Sequence, residues 1–305
     1  MGLSTVGAAR VWRVGDREIS LETPVIAGIL NVTPDSFSDG GRFEQPVKAI
    51  ARGRKIAEEG AVILDIGAES TRPGADPVPA DEEWARLEPV LLGLRDLPIP
   101  ISVDTHKLEV AERAVDAGAA AINDVTALRA EPALAGLAAR TGVGLVLMHM
   151  RGTPRTMQLD TAYRDVTAEV RGTLDDARRA ALDAGCEPGQ IALDPGLGFG
   201  KSLVGNLELL ARLDEIASLG APVWVGPSRK SFLGTLLDLG PAERVTASVA
   251  ACLAAARRGA DVLRVHDVRD TRQALEVTRA IDARRAGDVR GERPLIRPRA
   301  AGDRG

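Results

Sequence analysis

The chain has 305 residues, 45% of them hydrophobic but only 3% aromatic, with 39 Lys and Arg against 43 Asp and Glu, a net charge of −4. That balance gives no electrostatic case for a nucleic-acid partner, and no apolar segment approaches the ~20 residues of a membrane span. Cys186 and Cys252 are too few and too isolated for a disulfide framework or a zinc site. They are read as reduced thiols in a cytoplasmic protein, and Met1 to Arg13 shows no apolar core of a signal peptide.

In chain order, residues 1 to about 23 are read as a small hairpin capping the floor of the main domain. Short apolar runs then recur at fairly even spacing: Val25–Leu30, Val62–Ile66, Ile99–Val103, Ala119–Ile122, Gly144–Met148, Ile191–Leu193, Val223–Val225 and Val262–Val265. Each reads as a buried strand, and with so few aromatics the interior must be Ala, Val, Leu and Ile. Stretches with helical periodicity lie between them, among them Val47–Glu59, Leu108–Ala117, Tyr163–Ala184 and Leu203–Leu219. Gly60, Gly118, Gly142, Gly185, Gly220 and Gly259 each stand shortly before a strand, where a helix stop is needed. Eight strand–helix units in about 260 residues predict a single-domain (β/α)8 barrel, a TIM barrel, over residues 24–286. An open doubly wound sheet is the alternative, but no dinucleotide fingerprint or linker favours it. Residues 287–305 are Arg-, Gly- and Pro-rich without periodicity and read as a disordered tail.

In a barrel, chemistry collects at the C-terminal strand ends. Those positions carry Asn31, Asp65, Asp104, Asn123, His149, Asp194, the Ser228-Arg229-Lys230 cluster, and Arg264 with His266. A single carboxylate there can be a helix cap; so many charged groups next to buried strands argue for a ligand. Asp104, Asn123 and Asp194 supply acceptors and one amide, a set that suits the amino-pyrimidinone edge of a planar heterocycle. Lys230 and Arg264 supply cations, and Arg72, Arg264 and His266 suit a phosphate or pyrophosphate. Asn31 offers a carbonyl oxygen to a Mg²⁺ held mainly by phosphates and water.

Two other motifs carry less. Gly196-Leu197-Gly198-Phe199-Gly200-Lys201-Ser202 ends like a phosphate-binding loop, but its spacing is wrong and its helix starts only near Leu203. A flexible or tightly turned loop is the plainer reading. Met148 between Leu147 and His149 suits packing on a flat ring better than a soft metal.

Eight blocks in order make the chain resemble the dihydropteroate synthase family from about Val25 to Ile281. They are Asn31 to Gly41, Glu69 to Gly74, Ser102 to Thr105, Ile122 to Val125, Leu147 to Met150, Asp194 to Lys201, Ser228 to Ser231 and Arg264 to Val268. The resemblance implies condensation of 6-hydroxymethyl-7,8-dihydropterin diphosphate with 4-aminobenzoate, a sulfonamide-targeted step of folate biosynthesis. It implies that Asp104, Asn123, Met148, Asp194, Lys230 and Arg264 hold the pterin. It also implies that Asn31, Thr71, Arg72, Arg264 and His266 meet the diphosphate, with Asn31 on Mg²⁺. Phe37, Thr71, Pro73, Phe199, Ser228 and Ser231 would form the aminobenzoate pocket, and Asp35 would join Asp104, Asp194 and Lys230 among the catalytic groups. A homodimer through late barrel helices is the corresponding expectation. Two rival readings stay open: a methyltetrahydrofolate-binding methyltransferase barrel and a non-catalytic pterin-binding module.

Overall fold

In the computed structural model the described residues are 10–33 and 44–285. A two-stranded antiparallel hairpin, β1 (Val11–Val14) and β2 (Arg17–Ser20), comes first. Eight parallel strands come after it: β3 (Val25–Asn31), β4 (Ile63–Gly67), β5 (Ile101–Asp104), β6 (Ala121–Asp124), β7 (Gly144–Met148), β8 (Ile191–Asp194), β9 (Trp224–Val225) and β10 (Val262–Val265). Strands β3 to β8 pair in sequence order, β9 pairs with β10, and β10 returns to pair with β3. A parallel bridge between Leu193 and Val223 brings β8 against β9, so the ring is nearly closed. This is the predicted eight-stranded barrel, and the doubly wound alternative is ruled out.

The helices are α1 (Glu44–Glu58), α2 (Ala80–Leu94), α3 (Leu108–Asp116), α4 (Ala133–Thr141), α5 (Val166–Asp183), α6 (Leu203–Ala211), α7 (Leu213–Ala217), α8 (Ser231–Leu237), α9 (Val245–Ala256) and α10 (Val268–Arg285). All six glycines expected to stop helices have positive φ, for example Gly142 at +76° as the left-handed cap of α4. The predicted helix over Leu203–Leu219 is instead two. It breaks at Arg212, whose guanidinium bonds Asp165, Glu208 and Glu215. Those contacts favour φ −112° and ψ 29° over continued helix.

Two packing layers set the site's position. Outward residues of the strands meet the helices in one large apolar cluster, with Leu64, Ile66, Val103, Ile122, Leu145 and Leu193 at its centre. Inward residues near the strands' N-terminal ends form a second cluster of Ala27, Ile63, Ala121, Val146, Ala192, Trp224 and Val262. The hairpin closes it from below. Trp12 meets Trp224 edge to face at 5.2 Å and donates its indole N–H to the Gln190 carbonyl at 2.8 Å. The floor is thus sealed with hydrocarbon, and polar inward residues can gather only at the opposite end. Cys186 and Cys252 are buried and unpaired. The expected tail at 287–305 lies outside the described residues.

Candidate active site

At the C-terminal ends of the strands, a cavity is lined by Thr71, Asp104, Asn123, Met148, Asp194, Phe199, Lys230 and Arg264, among others. Strand alternation explains the gathering. Asp65, Asn123, Met148, Asp194 and Arg264 each stand two residues beyond a floor residue of their own strand, and Asp104 stands level with Asn123 in the neighbouring strand.

Arg264 organises the charges. Its Nε donates to Asp65 Oδ2 at 2.6 Å and its Nη2 donates to Asp104 Oδ2 at 2.8 Å. The Asn123 amide donates to the same Asp65 oxygen at 3.3 Å. Burial opposes the charge on Arg264, but Asp65 and Asp104 hold its pKa above the ordinary arginine range. On Asp104, burial pushes the pKa up to about 7; Arg264 pulls it down, and Asp65 and Glu83 push it further up. Asp194 accepts from the Gly196 N–H at 2.7 Å, and burial likewise raises its pKa.

Three acceptors are left over. Among the described residues, Asp104 Oδ1, Asn123 Oδ1 and Asp194 Oδ2 make no hydrogen bond to protein. Lys230 has no ion pair there either; its Nζ stands 3.9 Å from the Phe199 ring centroid. Burial lowers Lys230 to about 8, helped by the charge of Arg264. Met148 and Phe199 pack with Val125, Met150 and Met157 into an apolar wall of the same cavity. The arrangement can grip a flat, polar-edged ring: carboxylates and an amide at its rim, Met148 and Phe199 along its face, cations beside it.

Behind that wall lies a buried lysine, whose pKa burial pushes well below the ordinary lysine range. Lys201 Nζ bonds His149 Nδ1 at 2.8 Å, and the carbonyls of His149, Gly196 and Phe199 at 3.2, 2.9 and 3.0 Å. Burial and Lys201 hold His149 neutral, lowered to about 2, so its Nδ1 accepts. Asn206 fixes the same turn, accepting from the Gly198 N–H at 2.6 Å. The glycine run is therefore a tight turn stapled from inside. Its lysine faces the loop carbonyls rather than a phosphate. α6 begins at Leu203 with Ser202 as its cap, as the sequence suggests.

The remaining sequence-predicted residues fall around the mouth. Asn31 ends β3 half-buried, and its amide makes no hydrogen bond among the described residues. Ser228 Oγ lies 3.0 Å from His266 Nδ1 and accepts from the His266 N–H. Burial first and then Arg264 lower His266 to about 3. Arg229, at φ +57°, pairs through two nitrogens with Asp267, so the β9 and β10 loops are clamped together. Ser231 is the exposed first residue of α8. Arg72 and Pro73 are exposed and stand off the cavity wall, unlike Thr71. Phe199 shares one cavity with the residues assigned to the first substrate. Asp35 and Phe37 lie outside the described residues. The sequence shows Asp65 as a strand-end carboxylate but not its pairing across the barrel, and it shows Lys201 only as the end of a mis-spaced phosphate-loop motif.

Comparison with known proteins agrees with this geometry. The model of the pterin binding enzyme family matches residues 27–266. A dihydropteroate synthase of Neisseria meningitidis serogroup B is 48% identical over 280 residues, covering 90% of this chain and 98% of that protein. The solved structure of Xanthomonas albilineans dihydropteroate synthase with 4-aminobenzoic acid superposes with a TM-score of 0.85 at 47% identity, covering 90% of this chain and 99% of that one. The Burkholderia cenocepacia enzyme complexed with 7,8-dihydropteroate gives 0.83 at 42% identity, covering 92% and 99%.

Proposed function

The chain belongs to the pterin binding enzyme family, among its dihydropteroate synthases, and on that premise we propose how its own residues carry the reaction. The activity joins 6-hydroxymethyl-7,8-dihydropterin diphosphate to 4-aminobenzoate, releasing diphosphate and 7,8-dihydropteroate. The observation that carries the assignment of roles is the set of three unbonded acceptors, Asp104 Oδ1, Asn123 Oδ1 and Asp194 Oδ2, on one cavity with Lys230 and Arg264. The N–H edge of a pterin supplies the matching donors, and Met148 packs on its face.

In a dissociative course the C–O bond between the pterin methylene and diphosphate breaks first, its electron pair leaving with diphosphate. The methylene then carries positive charge, to be stabilised by a carboxylate, that of Asp35 or of Asp194. The aniline nitrogen forms the new C–N bond with its lone pair and afterwards loses a proton. Arg264, His266, Thr71 and Arg72 face the departing anion in this reading. No covalent nucleophile is required. Phe37, Pro73, Phe199, Ser228 and Ser231 form the aminobenzoate pocket.

The donor set is compatible with Mg²⁺. Among the described residues the Asn31 side-chain amide makes no hydrogen bond, and no group of three His, Cys, Asp or Glu could hold a metal. An ion there would take one protein oxygen, from Asn31, and fill its shell from diphosphate and water, which is the habit of Mg²⁺. When bound, it supplies charge neutralisation to the diphosphate oxygens.

A homodimer is proposed on the exposed apolar residues of the late helices, Leu236 and Leu237 on α8 and Val277 and Ile281 on α10. A cytoplasmic location is the companion proposal; no described helix is long and apolar enough to cross a membrane. One assay tests the central reading: diphosphate release from the pterin diphosphate, with and without 4-aminobenzoate. Turnover that needs both substrates supports it, and no turnover with Mg²⁺ present overturns it.

A further inference from the structure

The segment joining β4 to α2 carries Thr71, which lines the cavity, and Arg72. Its root is held by a cluster outside the cavity. Glu69 opens the loop, and its Oε1 accepts from the Val78 N–H at 3.0 Å, tying the two ends of the loop together. Its Oε2 takes the Lys107 ammonium at 2.5 Å. The same ammonium reaches Glu83 Oε2 on α2 at 2.5 Å. Burial opposes the charge of Lys107, but its bonds to Glu69 and Glu83 outweigh it and hold the pKa above the ordinary lysine range. Lys107 also stands three residues beyond Asp104. One side chain therefore couples the strand end bearing a cavity carboxylate to both the start of the loop and the helix at its far end.

This cluster is poorly explained by stability. Glu83 is fully buried, and its Oε1 has no hydrogen-bond partner. Two carboxylates share one ammonium, with His106 Nδ1 a further 3.9 Å from Glu69 Oε2. Buried ion pairs of this kind are commonly matched or bettered by apolar replacements, so what the cluster supplies is a fixed geometry more than strength. The geometry here fixes the loop. The far side of the loop has lighter ties: the Gly74 N–H to the Pro154 carbonyl at 3.0 Å, the Ala75 N–H to the Arg72 carbonyl at 3.1 Å, and an exposed Asp76–Arg155 ion pair at 3.6 Å.

We propose that Lys107 is a positioning residue: by bridging Glu69 and Glu83 it sets the root of the 69–78 loop, and so keeps Thr71 on the cavity wall when the second substrate binds. The inference rests on the reaction proposed for this site. It separates Lys107 from the pterin-holding groups, because no pterin contact is asked of it.

Steady-state kinetics of Lys107→Met and Lys107→Arg, with pterin binding measured by calorimetry using the ring without its diphosphate, tests the proposal. For Lys107→Met, KM for 4-aminobenzoate should rise about tenfold while the dissociation constant for the pterin ring stays within about twofold. Lys107→Arg should restore most of that KM, since a guanidinium can still bridge two carboxylates. An unchanged KM, or an equal loss of pterin affinity, overturns it. Should Lys107→Met fail to fold, Glu69→Gln is the substitute; it keeps an acceptor for the Val78 N–H and removes the ion pair. A KM raised by about threefold or more there supports the proposal, and an unchanged KM overturns it. Failure of the underlying reaction reads differently, as a wild-type protein that releases no diphosphate.

Discussion

Arg264 Nε lies 2.6 Å from Asp65 Oδ2, a pair that joins β10 to β4 across the barrel interior and is separated by 199 positions in the chain. It fixes the plane of the guanidinium and so decides where the second nitrogen meets Asp104. Asp65 is fully buried, and its Oδ1 has no partner.

Removing Asp65 should therefore hurt stability and catalysis together. Asp65→Ala leaves a largely buried guanidinium with Asp104 as its remaining carboxylate, a loss of about 3–5 kcal/mol for a broken buried pair. Urea denaturation gives the stability change. An unfolding free energy within about 0.5 kcal/mol of wild type would show that the pair is not what orders Arg264.

The features legible in the sequence and those hidden from it divide along a physical line. The strands are legible because each is a short apolar run, six of the eight preceded by a helix-stopping glycine, a signal carried by neighbours in the chain. The acceptors Asp104, Asn123 and Asp194 are legible as polar residues at the C-terminal ends of those runs. The Asp65–Arg264 pair was not legible, because it depends on how far the sheet curls before β10 meets β3. The break at Arg212 was hidden for a related reason: arginine is a good helix former, and the three carboxylates that draw it out come partly from the start of α5. Lys201 lies in a glycine-rich segment, and only the fold shows that its Nζ turns inward to three carbonyls.

The pH dependence of kcat/KM should be bell-shaped, with both limbs set by the cavity. Asp104 lies near 7 and must be ionised to accept from the pterin; Lys230 lies near 8 and must stay charged. Efficiency should fall as pH drops below about 7 and again as it rises above about 8. The two limbs belong to the coupled set rather than to isolated groups. Asp104→Asn should remove the acid limb and lower the plateau about 100-fold, and Lys230→Gln should remove the alkaline limb. An acid limb that persists in Asp104→Asn would assign it elsewhere.

Acid stability should carry the mark of His149. Its pKa is held near 2 in the folded protein, by burial first and Lys201 next, against an ordinary value of 6.5. Below pH 6.5 the unfolded chain binds a proton that the folded chain refuses, so stability falls as pH falls, by about 1.4 kcal/mol per pH unit. Asp104 works in the opposite direction between about 4 and about 7, because its raised pKa makes the folded state the better proton acceptor. The contrast between wild type and His149→Asn isolates the histidine, since Asn keeps an acceptor for Lys201. The variant should lose that slope between pH 6 and 5 in thermal or urea unfolding; parallel curves would refute the assignment.

Gly196 tests the stapled turn. Its φ is +66°, and a Cβ there would stand 1.9 Å from the His149 carbonyl oxygen. Neither backbone can yield easily, because Lys201 Nζ bonds both the Gly196 and the His149 carbonyls. Gly196→Ala should cost about 3 kcal/mol or more, well beyond a simple left-handed penalty. A melting temperature within about 2 °C of wild type would mean that the turn can slide.

Phe199 and Phe37 should behave differently, although both are assigned to the aminobenzoate pocket. The Phe199 ring sits 3.9 Å from Lys230 Nζ and packs with Met148 in the cavity that holds Asp104, Asn123 and Asp194. Replacing it with Leu removes the ring face, worth about 1 kcal/mol to a partly desolvated ammonium, and frees Lys230 to move. Both substrates should then suffer: KM for 4-aminobenzoate and the dissociation constant of the pterin diphosphate should each rise about fivefold. Phe37 belongs to the segment after β3, and Phe37→Leu should raise KM for 4-aminobenzoate alone. The pair of variants separates a shared wall from a dedicated one. A pterin affinity untouched by Phe199→Leu would mean that Lys230 keeps its place without the ring, and that the cation is held by the pterin and the carboxylates instead.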